Sequence, residues 1–331
     1  MEAPARQRLL AVALVAIAFG LLAVTLAVYF TRGFIPGDAL VYLGAGERLN
    51  AGHQLYALQP GDRYVGANPP YWTVPTLSPP FMGVLFRPLA LLPPDLGAYV
   101  WWAGTITAIA VTLLLLVRRA PIATSVAVLL LGIPLTYEIG VGNVNAFILA
   151  GAVGIWWAST RGHERTAGAV AAFLVMVKMW PIALAWWLVT QRRWESVKAG
   201  LVAGVVIVGV SLVGAGFDAH LTYVQVIRDT TSIGTSVLSV AGMARYIGVP
   251  TSIATYLPWA VFVGGCALAW VLRDRPGPSF ACAVVAMTLG SSVVNINSFS
   301  LLLAALAPIA WPAPARERLA PVPTRPATVP I

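Results

Sequence analysis

Charge is what this chain has least of. Only 10% of its 331 residues are Asp, Glu, Lys or Arg, against about a quarter in a soluble domain. That scarcity excludes a water-solvated globule, because no soluble core could hide so much apolar surface. Cysteine is nearly absent as well. Cys266 and Cys282 both lie in apolar runs, which excludes a disulfide framework and leaves them as inert core residues. His53, His163 and His220 are the only histidines and are far apart in sequence, so no metal site and no cofactor are expected. No G-x-x-x-x-G-K run is present, which excludes phosphate-loop nucleotide chemistry.

What fills the chain instead is apolar: 59% of residues are hydrophobic and the mean hydropathy is +0.81. The fold class this predicts is all-α, a polytopic transmembrane protein with roughly nine to eleven membrane segments at about 20 residues each. Candidate spans are 9–30, 96–117, 121–137, 143–158, 197–216, 252–272, 279–294 and 298–311. The first is too long for a signal-peptide core and reads as a retained anchor. Two further apolar segments are interrupted. Segment 77–93 contains Pro79, Pro80, Pro88 and Pro93 and reads as re-entrant or interfacial. Segment 166–190 is broken by Lys178-Met179-Trp180-Pro181 and reads as a hairpin of two half-length helices. Broken helices at membrane depth are tolerated where they line protein or a water-filled cavity. Residues 1–311 are expected to form one membrane domain, followed by a disordered Pro/Ala/Arg-rich cytoplasmic tail at 312–331.

The distribution of cations orients these spans. With the N-terminus in the cytoplasm, 14 of the 21 Lys and Arg fall on the inner side and 6 on the outer. This is the positive-inside signature of a multi-pass plasma-membrane protein. The net charge of +9 therefore reports orientation and attraction to membrane lipids, not a nucleic-acid partner.

Polar groups other than cations gather on the outer side. The first outer loop, 31–76, starts with a helical pattern after Asp38, with Leu40, Val41, Tyr42, Leu43 and Leu49 giving apolar coverage and Gly52 as a stop. Asp38 itself suits an N-cap. Glu138, Asn143 and Asn145 fall at the next outer turn. The second large outer loop, 217–250, holds His220 and Arg245, and Asn295 and Asn297 form a third turn. Trp72, Trp101 and Trp102 suit an interfacial aromatic belt.

Residues Gly37 to Tyr56 resemble the glycosyltransferases of family 87, bacterial membrane mannosyltransferases of the GT-C class that use polyprenyl-phosphate sugars. The similarity continues in order through Ser78-Pro79-Pro80 with Arg87-Pro88-Leu89, Gly142-Asn143-Val144-Asn145, Lys178-Met179-Trp180-Pro181, and Ser239 to Arg245. The resemblance implies a GT-C-like fold and an inverting transfer of a hexose, mannose above all. The donor would be a polyprenyl-phosphate sugar and the acceptor a lipid or glycan on the outer face. It makes Asp38 the catalytic base. Lys178 and Arg245 are candidates for the donor phosphate. Tyr42, Glu138, Asn143, Asn145, Asn295 and Asn297 are candidates for sugar or acceptor contacts. Plainer readings stand beside these: Arg245 as an ordinary loop cation, Glu138 in a solvated turn, Asn143 and Asn145 as helix caps. Two rival functions are a flippase of lipid-linked sugars and a non-catalytic assembly subunit.

Overall fold

The computed structural model describes residues 3–31, 36–59, 76–233 and 238–313. The expectations for Trp72 and for the tail beyond residue 313 lie outside them. Regular structure among the described residues is entirely helical, without strands. In chain order the helices begin with α1 (Ala3–Thr31), α2 (Gly37–Asn50), α3 (Pro80–Phe86), α4 (Pro94–Arg119), α5 (Pro121–Val141), α6 (Asn145–Thr160), α7 (Glu164–Val177) and α8 (Ile182–Thr190). They continue with α9 (Trp194–Ala215), α10 (Phe217–Ile233), α11 (Val240–Tyr246), α12 (Thr251–Ala254), α13 (Leu257–Val271), α14 (Pro276–Leu289) and α15 (Ala307–Ala310). A 3-10 helix, Ile296–Leu306, precedes the last.

Five stretches are long and apolar enough to cross a bilayer: Arg6–Thr31, Asp95–Arg119, Pro121–Val141, Trp194–Ala215 and Thr251–Val271. The chain is a multi-pass membrane protein. The three other uninterrupted candidate spans are also helical, at about the lengths expected, and are shorter than these five. Helix α6 has 16 residues and α14 has 14, or about 24 and 21 Å at 1.5 Å per residue, short of a hydrocarbon core about 30 Å thick. Both are largely core elements, with Ile148, Trp156, Phe280 and Val284 fully buried. The last segment gains reach by overwinding. The 11 residues of the 3-10 helix rise about 2.0 Å each, so they cover about 22 Å before α15 begins.

The interrupted segments break where proline requires it. In 77–93 only the seven residues of α3 are α-helical, about 10 Å of rise, so this segment does not span. Arg87 pins it instead: its Nε donates to Asn50 Oδ1 at 2.9 Å and its Nη1 to the carbonyl of Gly214, at the end of α9, at 3.1 Å. Between α7 and α8 the backbone leaves the helix at Lys178, which is extended at φ −156°, ψ 127°. Pro181 has no N–H to donate to Val177 and its ring crowds that carbonyl. Segment 217–250 departs from the expected loop. Its described residues are mostly helical, in α10 and α11.

A contiguous buried cluster runs from Ala18 in α1 to Trp311. Its centre is aromatic: Trp156, Trp187 and Phe280 pack with ring centroids 5.0 to 5.5 Å apart. Around it, α1 packs on α5, α13 on α14, and the 3-10 helix on α5, α6 and α14. The tightest helix pair is α7 with α9. A Cβ on Gly168 would stand 1.9 Å from the Ser196 carbonyl oxygen and 2.9 Å from the Gly200 nitrogen. Those are backbone atoms that cannot rotate away, so Gly168→Ala must push the helices apart. Overpacking of this kind costs about 1–3 kcal/mol. The expected result is a lower melting temperature for the variant in detergent, read by light scattering on heating. An unchanged value would contradict the close approach.

Candidate active site

The site is assembled where helix ends meet. Helix α5 must terminate its carbonyls, and α4 supplies the donors: Trp102 Nε1 to Ile139 O at 2.7 Å and Trp101 Nε1 to Gly142 O at 2.8 Å. These two indoles thus clamp the end of α5 to α4, a role beyond the interfacial belt expected of them. Trp101 also sits in an aromatic cluster with Phe86, Phe147 and Tyr42, at centroid distances of 4.5, 4.6 and 6.2 Å. Gly142 then turns the chain in the left-handed region, at φ 65°, where a side chain is disfavoured. A Cβ there would also meet Ala39 of α2 at 3.3 Å.

That turn aims Asn143 at Asp38. Asn143 Nδ2 donates to Asp38 Oδ2 at 2.6 Å, and Asn143 Oδ1 accepts from the backbone N–H of Asn145 at 2.9 Å. Asp38 is not the N-cap of α2. Pro36 occupies that position and Asp38 is the second helical residue. Its carboxylate is spent across the fold instead of on its own helix. Oδ1 of Asp38 makes no hydrogen bond to the described residues.

Behind this pair lies a buried polar network. Glu138 is completely buried, which corrects the expectation of a solvated turn. Its Oε1 accepts from Ala146 N at 2.7 Å. Its Oε2 accepts from Asn297 Nδ2 at 2.9 Å and from Asn145 Nδ2 at 3.3 Å. Asn145, also fully buried, accepts from Lys178 Nζ at 2.8 Å through its Oδ1. Four chain segments far apart in sequence thus converge: the start of α2, the α5–α6 turn, the break in the α7–α8 hairpin, and the start of the 3-10 helix. Asn295 starts the last, in a reciprocal cap with Ser298.

A cavity of about 370 Å³ opens on this convergence. Asp38, Tyr42, Asn143, Lys178, Asn295 and Asn297 line it, together with Trp180, Tyr223, Ser291 and Ser292. Glu138 and Asn145 stand behind the lining, one hydrogen bond removed from it through Asn297 and Lys178. Arg245, at the end of α11, is also absent from the lining. Of the residues that line the cavity without having been singled out, Tyr223 lies on amphipathic α10. Ser291 and Ser292 follow the end of α14 at Gly290. Only the polar break after an apolar run signals those two serines in the sequence.

The electrostatics are those of a sheltered carboxylate beside a cation. Burial pushes the Asp38 carboxyl above the ordinary carboxylate range; the Asn143 hydrogen bond and the Lys178 charge pull it back only in part. Burial likewise pushes the Tyr42 hydroxyl well up, reinforced by the Asp38 and Glu138 charges, so Tyr42 is a neutral phenol in the cavity wall. Among the described residues no three His, Cys, Asp or Glu side chains gather as metal ligands.

The profile of glycosyltransferase family 87 matches residues 77–295. The chain belongs to that family. The matched stretch contains Glu138, Asn143, Asn145, Lys178 and Asn295; Asp38 precedes it and is brought to them by the fold. The chain is also similar to two polyprenol-phosphate-mannose-dependent alpha-(1-2)-phosphatidylinositol pentamannoside mannosyltransferases. The one from Mycolicibacterium smegmatis (strain ATCC 700084 / mc(2)155) is 27% identical over 209 residues, covering 60% of this chain and 48% of the relative. The one from Mycobacterium tuberculosis (strain CDC 1551 / Oshkosh) is 26% identical over 293 residues, covering 83% and 62%. The matched part of this chain thus spans between about half and three-fifths of the length of these relatives. No solved structure matches it.

Proposed function

We propose that this family 87 member transfers a hexose, mannose in the first instance, from a polyprenyl-phosphate donor to a lipid or glycan acceptor, with inversion at the anomeric carbon. The observation that carries the proposal is the placement of Asp38 and Lys178 in the wall of one cavity. The base is held by Asn143 through one oxygen only, which leaves Oδ1 to take a proton. The acceptor hydroxyl gives that proton to Asp38 Oδ1 as its oxygen forms the bond to the anomeric carbon. The bond from that carbon to the phosphate oxygen breaks, and the polyprenyl phosphate leaves as an anion. Inversion needs one base and no covalent intermediate. The leaving anion needs cationic support more than a proton, and Lys178 Nζ, tethered by a single hydrogen bond to Asn145, has N–H groups left to give it. Arg245 lies apart from the cavity lining, so Lys178 is the principal phosphate ligand in this scheme. With the N-terminus cytoplasmic, as the cation distribution indicates, the cavity opens to the outer face and residues 1–311 act as one membrane domain.

The test is transfer by the purified chain in nanodiscs, given radiolabelled polyprenyl-phosphomannose and a phosphatidylinositol mannoside acceptor. The expected product is a glycoside of opposite anomeric configuration to the donor. Movement of labelled donor across sealed vesicles without glycoside formation would replace this reading with that of a flippase.

The raised Asp38 carboxyl sets a pH dependence. A base works deprotonated, and its proton is retained to higher pH than on an exposed carboxylate. Activity is therefore expected to fall as pH drops through a value above the ordinary aspartate pKa of about 3.9. The check is kcat/KM against pH for the wild type. An acid limb at or below the ordinary value would contradict a buried base.

A further inference from the structure

Glu138 is fully buried and does not line the cavity, and the transfer step above does not use its carboxyl group. A carboxylate in such a place is costly unless something requires it. Its surroundings show what that is. Both oxygens are occupied, Oε1 by the backbone N–H of Ala146 and Oε2 by the side-chain amides of Asn297 and Asn145. The Asn145 amide is the informative member. Its NH2 points at Glu138 and its carbonyl oxygen at Lys178 Nζ. An ammonium can only donate and a carboxylate can only accept, so this is the one orientation of the amide that serves both. The dipole of Asn145 thus connects a buried anion to the cation of the cavity wall.

We propose that Glu138 is a positioning residue for Lys178, acting through Asn145 to hold the ammonium toward the leaving phosphate and away from Asp38. The proposal rests on the reading of Lys178 as the donor-phosphate ligand. Without a counter-charge behind it, the nearest carboxylate left to Lys178 is Asp38, and direct pairing there would occupy the oxygen that must take the acceptor's proton. Glu138 supplies that counter-charge from the far side. The bridging amide also keeps the two charged groups from collapsing onto each other, so the remaining N–H groups of Lys178 stay directed into the cavity. Through the same carboxylate, Asn297 at the start of the 3-10 helix is tied to the α5–α6 turn, so one group sets the position of two cavity walls.

A double-mutant cycle decides this. The probe is a short-chain polyprenyl phosphate titrated onto the full chain in nanodiscs, with wild type, Glu138→Gln, Lys178→Gln and the double variant. Glu138→Gln cannot accept from both amide groups and the Ala146 N–H as the carboxylate does. It is expected to weaken polyprenyl phosphate binding about tenfold and, as for Lys178 itself, to raise the donor KM and lower kcat together. Added to Lys178→Gln, it is expected to cost nothing further, because its effect passes through Lys178. Additive losses in the double variant would overturn the proposal, as would wild-type affinity in Glu138→Gln. If Glu138→Gln does not fold, Asn145→Ala is put through the same cycle. It cuts the bridge and leaves the Ala146 and Asn297 bonds to Glu138 in place, and the same two outcomes apply. If Lys178→Gln alone leaves polyprenyl phosphate affinity unchanged, the failure lies with Lys178 as the phosphate ligand and not with the coupling.

Discussion

Asp38→Asn is expected to lower kcat for sugar transfer by about 10²–10⁴-fold, the usual contribution of a positioned general base. The substitution is nearly isosteric, and the asparagine oxygen still accepts from Asn143 Nδ2 where Asp38 Oδ2 does now. The contact between α2 and the α5–α6 turn therefore survives, and so does the cavity wall. What is lost is the ability of the other oxygen to take a proton. Donor affinity is expected to change little, so the loss should appear in kcat with the donor KM within a few-fold of wild type. The measurement is steady-state transfer from polyprenyl-phosphomannose, on protein whose melting temperature matches the wild type. Asp38→Ala is expected to be equally inactive and less stable, since Asn143 then loses its acceptor. Full activity in folded Asp38→Asn would remove Asp38 from the chemistry and leave it as a link between two helices.

The second large effect is expected from Lys178→Gln. Hydrogen bonds to charged groups contribute about 1.5–3 kcal/mol, or roughly 10- to 150-fold in a binding constant. Lys178 meets its substrate group both on binding and as the leaving anion forms, so donor KM should rise and kcat should fall together. Glutamine keeps a donor for Asn145 Oδ1, which Lys178 now satisfies at 2.8 Å. The break in the hairpin is expected to persist, because Pro181, three residues on, imposes it through the backbone and not through the ammonium. Binding of polyprenyl phosphate and steady-state kinetics read the two components separately. Unchanged donor KM would mean that the cation serves only to balance the buried Glu138 carboxylate.

Several elements of this architecture were legible residue by residue. The apolar runs, the break at Lys178-Met179-Trp180-Pro181 and the helix from Asp38 to about Gly52 follow from local chemistry, namely hydropathy, proline and helix punctuation, and the structure has each of them, the last with its cap at Pro36 instead of Asp38. Glu138 was not legible in the same way. Its neighbours Ile139, Gly140 and Gly142 look like any turn beside a membrane helix, and nothing within a window of ten residues reports that Asn297 lies 2.9 Å away. The clamping role of Trp101 and Trp102 was hidden for the same reason, because only the carbonyls of Ile139 and Gly142 opposite them reveal it.

The sequence by itself thus determined that this is an all-helical membrane protein with interrupted helices and an isolated lysine at one of the interruptions. Those properties depend on short-range preferences and on the cost of unsatisfied backbone in lipid. The tertiary structure alone decided which polar groups meet. It joined Asp38 to Asn143 and Glu138 to Asn297 across 105 and 159 residues. It left Arg245 out of the cavity lining and made Asn145, read as a sugar contact or helix cap, a buried bridge between Glu138 and Lys178. Hydrogen-bond partners at such separations are chosen by helix packing, and packing is a property of the whole bundle that no local pattern encodes.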